Sequence, residues 1–217
     1  MDNYKLKKDI KFRDYQIECL NKLEEHYANK DKGIICVPTG GGKTIIFSKF
    51  SEEKKALIVS HTEELVNQAK SKFEFVSSKN CGIVNANNWE NNNNVISGSI
   101  QTLYSRIETK EFQTLVLDKE FLIVDEAHHF PANTYIAVYN KILKYNPKIK
   151  LLGVTATPFR SDDLELKEYF EDMIYNVNIK KLIQENYLVS TKAKIIRIPE
   201  NLAIFNKIPI RKDKNGI

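Results

Sequence analysis

Short apolar runs recur along the chain at "GIICV" (33–37), "ALIVS" (56–60), "NVISGSI" (94–100), "FLIVD" (121–125) and "KLLGVTA" (150–156). Each has strand length and is rich in Val and Ile. None alternates cleanly with polar residues, so each reads as a strand buried on both faces. Amphipathic stretches lie between several of them. "RDYQIECLNKLEEHYAN" puts Ile17, Leu20, Leu23 and Tyr27 on one helical stripe. "HTEELVNQAKSKFEFV" spaces Leu65, Ala69 and Phe73 four apart, with Thr62 placed as an N-cap. "NTYIAVYNKILKYN" supplies Ile136, Tyr139 and Leu143 before Pro147 stops the helix. Strands alternating with helices predict an α/β fold, a mostly parallel β-sheet with helices on both faces.

Ligands of such sheets sit at the carboxyl ends of the strands. The segments that follow the apolar runs are "PTGGGKT", "SHTEEL", "GSIQTL", "DEAHH" and "TATPFR". All are small, polar or charged, which makes them the first place to look for chemistry.

Composition narrows the class. The 217 residues are ample for one domain with a buried core, and 28% charged with 42% hydrophobic residues describes a soluble globular chain. No apolar run approaches the ~20 residues of a membrane helix, and the N-terminus has no apolar secretory core. Cys19, Cys36 and Cys81 are odd in number and far apart, which suits a reducing cytoplasm or nucleoid better than a disulfide framework. The net charge of +5 is compatible with a polyanionic partner and equally with a solvated lysine-rich surface. "NANNWENNNNV" (85–95) reads as a polar loop between strands, with Trp89 packed over it rather than stacked on a base.

"VPTGGGKT" follows "GIIC" directly. Consecutive glycines let backbone N–H groups approach a phosphate, and the helix that begins near Lys43 aims its N-terminus at the same anion. In this pattern Thr39, Gly40, Gly41 and Gly42 form the cradle. Lys43 reaches the β/γ-phosphates and the Thr44 hydroxyl ligates Mg²⁺. The strict pattern wants glycine where this chain has Val37. "DEAHH" poses a choice. A carboxylate at the end of a buried strand can hold the metal of a bound triphosphate, with Asp125 in that place and Glu126 positioned to activate water. A zinc site would need His and acid ligands converging, whereas the adjacent His128 and His129 are expected to diverge. A solvated structural turn is the third reading.

"VPTGGGKT", "DEAHH" and "TATPFR", in that order and spacing, resemble motifs I, II and III of superfamily 2 helicases and translocases. "FRDYQ" (12–16) resembles their adenine-recognition segment, "IVSHTEELVNQ" motif Ia and "GSIQTL" motif Ic. The nearest branch is the DEAH-type one that holds restriction-enzyme motor subunits and DNA repair helicases. The resemblance spans roughly residues 12–190. It implies an N-terminal RecA-like P-loop domain over residues 1–190, with 191–217 a linker or the start of a following region. It also implies ATP and Mg²⁺ as cofactors, held by Lys43, Thr44 and Asp125. Arg13 and Gln16 would meet the adenine, and Glu126 would be the catalytic base. His128 would link the nucleotide to Thr155 and Thr157, which couple hydrolysis to strand movement. His61, Thr62, Gln101 and Thr102 would touch the nucleic-acid backbone, DNA being favoured over RNA. Capping is the competing explanation for the hydroxyl residues among these. Arg160 could meet phosphate or pair with Asp162 or Asp163.

Such motors have two RecA-like domains, the second supplying an arginine finger. "TKAKIIRIPENLAIFNKIPIRKDKNGI" (191–217) shows a strand-like "AKIIRI" and no finger segment. A second RecA-like domain is therefore expected C-terminal to this stretch, and a fused or associated nuclease or methylase is compatible with the family. Alone, the stretch is expected to hydrolyse ATP very slowly, because arginine fingers contribute ~10³–10⁵ in turnover. Two other classes share parts of the pattern. A P-loop small-molecule kinase would use the Gly-rich loop, and a non-catalytic nucleic-acid clamp would use the fold without turnover.

Overall fold

The computed structural model describes residues 11–157 and 164–190, with residues 164 and 165 by backbone alone. Arg160, the "AKIIRI" segment and the expected boundary at 190 with all that follows lie at or beyond the edge of the described residues. Seven strands form one sheet: β1 (Lys32–Cys36), β2 (Ala56–Ser60), β3 (Gly82–Val84), β4 (Val95–Ser99), β5 (Phe121–Asp125), β6 (Lys150–Thr155) and β7 (Met173–Asn176). Their order is β3-β4-β2-β5-β6-β1-β7 and every neighbouring pair is parallel. Five of the seven are the strands read from the apolar runs. β3 and β7 are short edge strands, of three and four residues, and carry too little pattern to read.

The central strands are apolar throughout because both faces are covered. Ile35, Ile58, Ile123, Leu152 and Val154 point into one core. There they meet α1 (Asp14–Tyr27), α2 (Lys43–Phe50) and α3 (Glu63–Ser77) through Leu20, Leu23, Phe47, Phe50 and Phe73. Their neighbours Ile34, Leu57, Val59, Leu122 and Val124 point the other way. On that face they pack with α4 (Ile100–Ser105), α5 (Lys110–Leu117) and α6 (Asn133–Tyr145). This is the period-two alternation of a pleated strand with apolar partners on both sides. α7 (Leu164–Tyr169) and α8 (Ile179–Gln184) flank β7 in sequence.

The helical stripes are rotated by about one position from the pattern-based ones. In α1 the buried set is Tyr15, Gln16, Cys19, Leu20, Leu23 and Tyr27, and Ile17 is only half-buried. In α3 Val66, Ala69, Phe73 and Val76 are buried while Leu65 is half-buried. In α6 Tyr135, Val138, Tyr139 and Ile142 face the core, and Ile136 and Leu143 flank it. A 3.6-residue period makes the apolar arc wider than a four-apart row, and its centre follows whichever residues meet the sheet. Thr62 does cap α3, accepting from Leu65 N–H at 3.2 Å. The Asn-rich stretch joins β3 to β4 as a loop, and Trp89 is half-buried against the second core with the Arg106 guanidinium 4.8 Å above its ring. No helix among the described residues is long and apolar enough to cross a membrane.

Candidate functional site

With all strands parallel, the loops that follow β1, β2, β4, β5 and β6 emerge on one edge of the sheet. The loop after β1 is built for close approach. Gly40 and Gly42 have φ of 79° and 80°, in the left-handed region that glycine enters without a Cβ penalty. A Cβ on Gly41 would stand 2.7 Å from Val37 Cγ1 and one on Gly42 would stand 2.6 Å from Gln16 Nε2. Val37, the departure from the strict pattern, is buried and donates its N–H to Thr155 O at 2.9 Å. It extends the β1–β6 ladder, and the loop folds over it because position 41 has no side chain. α2 begins at Lys43, so its first N–H groups lack helical acceptors and face the loop. Thr39 and Gly40 are exposed and Thr44 is half-buried.

Lys43 and the "DEAHH" segment meet. Lys43 Nζ lies 2.6 Å from Glu126 Oε1, with the two side chains 11% and 23% exposed. Asp125, at the end of β5, is buried, and its Oδ1 accepts the Glu126 N–H at 3.0 Å. Burial pushes the Asp125 carboxyl up to about 6; Glu126 adds to the rise and the Lys43 ammonium opposes it. Asp125 is thus a buried acid with too little positive charge around it, and a divalent cation would supply what is missing. Glu126 has φ 52°, an unusual conformation for a non-glycine residue, and it opens a 3-10 turn at Ala127–His129.

His128 faces both neighbours. Its Nδ1 is 3.4 Å from Glu126 Oε2 and 3.4 Å from Thr155 Oγ1. Thr155 Oγ1 lies 3.2 Å from Thr157 Oγ1 and accepts the Thr157 N–H at 3.3 Å. The expected divergence of His128 and His129 does not occur: in the tight turn their ring centroids are 4.1 Å apart. Among the described residues, no group of three or more His, Cys, Asp or Glu is arranged to hold a metal ion, which leaves the zinc reading without a donor set.

The remaining expected residues fall into two places. Beside the Gly-rich loop, Gln16 is buried and its amide is occupied by protein. Its Oε1 accepts from Arg13 N at 3.1 Å and its Nε2 donates to Gly41 O at 3.4 Å. Arg13 is half-buried, donates to Tyr15 Oη at 3.1 Å and stacks on Tyr187 at 5.2 Å. Tyr15 in turn donates to Gly41 O, so the "FRDYQ" segment braces the Gly-rich loop. Pattern reading gave no role to Tyr15, although it lies within "FRDYQ", and missed Tyr187, which belongs to none of the motifs. A cleft of about 380 Å³ opens beside the loop, lined by Pro38, Thr39, Thr157, Asn176 and Asn178 among others.

At the other end, after β2 and β4, Gln101 Nε2 donates to His61 O at 2.8 Å and Gln101 Oε1 accepts from Ser99 Oγ at 2.8 Å. Thr62 and Gln101 are exposed, while Thr102 is buried. The strand order places this pair of loops beside β5 and the Gly-rich loop on the far side of β6. "DEAHH" therefore stands between the two halves.

The family described as "Type III restriction enzyme, res subunit" matches residues 9–160, well over half of the chain. The chain belongs to that family. It is 29% identical over 196 residues to the DNA 3'-5' translocase XPB2 of Sulfurisphaera tokodaii, covering 87% of this chain and 40% of that protein. It is 26% identical over 225 residues to the type I restriction enzyme EcoAI endonuclease subunit of Escherichia coli, covering 94% of this chain and 26% of that one. Among solved structures, a nuclease-deletion mutant of the type ISP restriction-modification enzyme LlaGI with a DNA substrate mimic aligns with a TM-score of 0.65 at 16% identity, over 82% of this chain and 21% of that one. The UvsW helicase of bacteriophage T4 aligns with a TM-score of 0.62 at 17% identity, over 79% and 62%. These structural likenesses establish the RecA-like α/β fold. The chain spans less than half the length of the curated relatives it matches.

Proposed function

We propose that this chain is the ATP-binding motor domain of an ATP-dependent helicase or translocase that moves along nucleic acid, DNA in preference to RNA. The observation that carries the reading is the meeting of Lys43 with Glu126 beside the buried Asp125. A small-molecule kinase would share the Gly-rich loop but leave the strand-end loops after β2 and β4 without a role. The preference for DNA rests on relatives named as a DNA translocase and a restriction-enzyme subunit. A second RecA-like domain and an associated nuclease or methylase are part of the same proposal. So is a reducing compartment, cytoplasm or nucleoid, which three free buried thiols suit.

In this reading the loop at Thr39–Gly42 and the start of α2 cradle the triphosphate, and Lys43 moves from Glu126 to the β/γ-phosphates. Thr44 and Asp125 would hold Mg²⁺, which neutralises charge on the phosphates when bound. Freed of Lys43, Glu126 takes a proton from the water that attacks the γ-phosphorus, and ADP leaves with the bridging oxygen. His128, in reach of both Glu126 and Thr155, senses that change and passes it to the Thr155–Thr157 pair. Arg13 and Gln16 would need to turn outward to meet the adenine, since Gln16 now serves the loop.

Two variants of the protein that carries this chain test the reading. Glu126→Gln should abolish turnover, by ~10²–10⁴ from loss of general-base catalysis, and spare ATP binding. Lys43→Ala should lose both. A Glu126→Gln protein that turns ATP over at the wild-type rate would refute the assignment.

A further inference from the structure

His129 belongs to no motif role above, yet it is the bridge between the two halves of the site. Its ring centroid lies 4.1 Å from that of His128 and 4.3 Å from that of His61. His128 touches Glu126 and Thr155, and Glu126 touches Lys43. On the other side the His61 carbonyl holds Gln101 at 2.8 Å. A line of contacts therefore runs from Gln101 through the His61 backbone and then ring to ring to the Glu126 carboxylate.

The line has one soft joint and one stiff one. His61 Nδ1 is buried with no hydrogen-bond partner among the described residues, so packing on His129 is what orients that ring. A contact made at the His61 backbone or at Gln101 can reorient it without breaking a ring hydrogen bond. The 3-10 turn is stiff. His129 N–H donates to Glu126 O at 3.0 Å, and the next residue, Phe130, is fully buried among Tyr139, Tyr169 and Phe170 with centroids 5.1–5.5 Å away. Glu126 itself sits at φ 52°, a conformation held only by its surroundings. A push on the His129 ring is thus passed to the Glu126 peptide rather than absorbed.

We propose that His129 is a positioning residue, which conveys nucleic acid held at the His61–Gln101 edge to the Glu126 carboxylate and so makes ATP turnover depend on the strand. The inference rests on the function proposed above. In it, bound nucleic acid shifts His61, the stacked rings follow, and the Glu126 carboxylate, released by Lys43 once ATP binds, is turned toward the attacking water.

The test uses His129→Ala and His129→Phe in the protein that carries this chain. Turnover is measured with and without a single-stranded DNA oligonucleotide, and oligonucleotide affinity by fluorescence anisotropy. In His129→Ala the strand-stimulated kcat should fall by about tenfold or more toward the unstimulated value, within the usual range of coupling between sites, while unstimulated kcat, KM for ATP and oligonucleotide Kd stay within about twofold. His129→Phe keeps a flat ring in the stack and should restore most of the stimulation. On the 217-residue chain itself, ring NMR signals of both His61 and His128 should shift on adding oligonucleotide, and only His61 should shift in His129→Ala. Normal stimulation in His129→Ala would overturn the proposal. So would a loss of oligonucleotide affinity, which would make His129 a direct contact, or a His129→Phe protein as uncoupled as the alanine variant. A wild type whose turnover ignores nucleic acid would instead remove the motor reading, and this inference with it.

Discussion

Asp125 carries the clearest electrostatic signature at the level of single residues. Its carboxyl stands at about 6 against an ordinary 3.8, mainly because it is buried and secondly because Glu126 is beside it. A raised carboxyl destabilises the charged folded form. Between the unfolded and folded values the native chain holds a proton that the unfolded chain has released, so stability falls as pH rises through that window and the penalty is complete above about 6. A rise of this size corresponds to ~3 kcal/mol at most, and local relaxation makes ~1–3 kcal/mol the sensible range. Asp125→Asn, free of nucleotide and metal, should therefore be more stable than wild type by about that amount at neutral pH, with the gain fading as pH drops to about 4. Urea melts across that range check it. A variant that is less stable at neutral pH would mean that the carboxylate already has its countercharge.

Among the elements, the strand-end loops show how far pattern reading goes. Each of the five strand-end segments is legible because it directly follows an apolar run, and, as far as the described residues reach, the structure places them at one edge. Lys43, Glu126, His128 and Thr155 come together there, as ordered segments on neighbouring strands must. Contacts between residues far apart in the chain were not legible. Nothing in the periodicity pairs His61 with His129, Gln16 with Gly41, or Arg13 with Tyr187, because such pairs depend on strand order and on the rotation of each helix against the sheet. The one-position shift of the α1, α3 and α6 stripes has the same origin. β3 and β7 escaped because an edge strand of three or four residues has too few positions to show a period. Thr62 illustrates a residue with two claims on it, as a cap and as a backbone contact. Its hydroxyl oxygen caps α3 at 3.2 Å, and the exposed O–H remains free to donate. Thr62→Ala should cost about 1 kcal/mol in chemical denaturation and Thr62→Ser almost nothing, as for other helix caps. If Thr62→Ala leaves stability untouched, the cap is not what keeps a hydroxyl there.

For the whole molecule, the strand order divides the carboxyl edge into a candidate nucleotide half around β1, β6 and β5 and a candidate strand-binding half around β2 and β4. The two halves differ in charge chemistry. The half around the Gly-rich loop holds a fixed cation, Lys43, paired with Glu126 at 2.6 Å. The candidate strand-binding half presents His61, Thr62 and Gln101, with Thr102 buried beneath them, and none of these is a fixed cation; the +5 net charge is spread over the rest of the chain. A backbone held by hydroxyls, amides and loop N–H groups releases few counterions, because release follows the number of phosphates neutralised by Lys or Arg, at about 0.7 per phosphate on a single strand. The logarithm of single-stranded DNA affinity for this chain should accordingly fall with the logarithm of salt with a slope no steeper than about −1, between roughly 50 and 200 mM at a pH where His61 is neutral. Fluorescence anisotropy of a labelled oligonucleotide measures it. A slope near −3 or steeper would show that lysines elsewhere on the surface hold the strand, and that the His61–Gln101 edge is not its path. A shallow slope is also what a motor needs: contacts that position the backbone without ion pairing can be released and remade at each step, so the nucleotide half can set the pace.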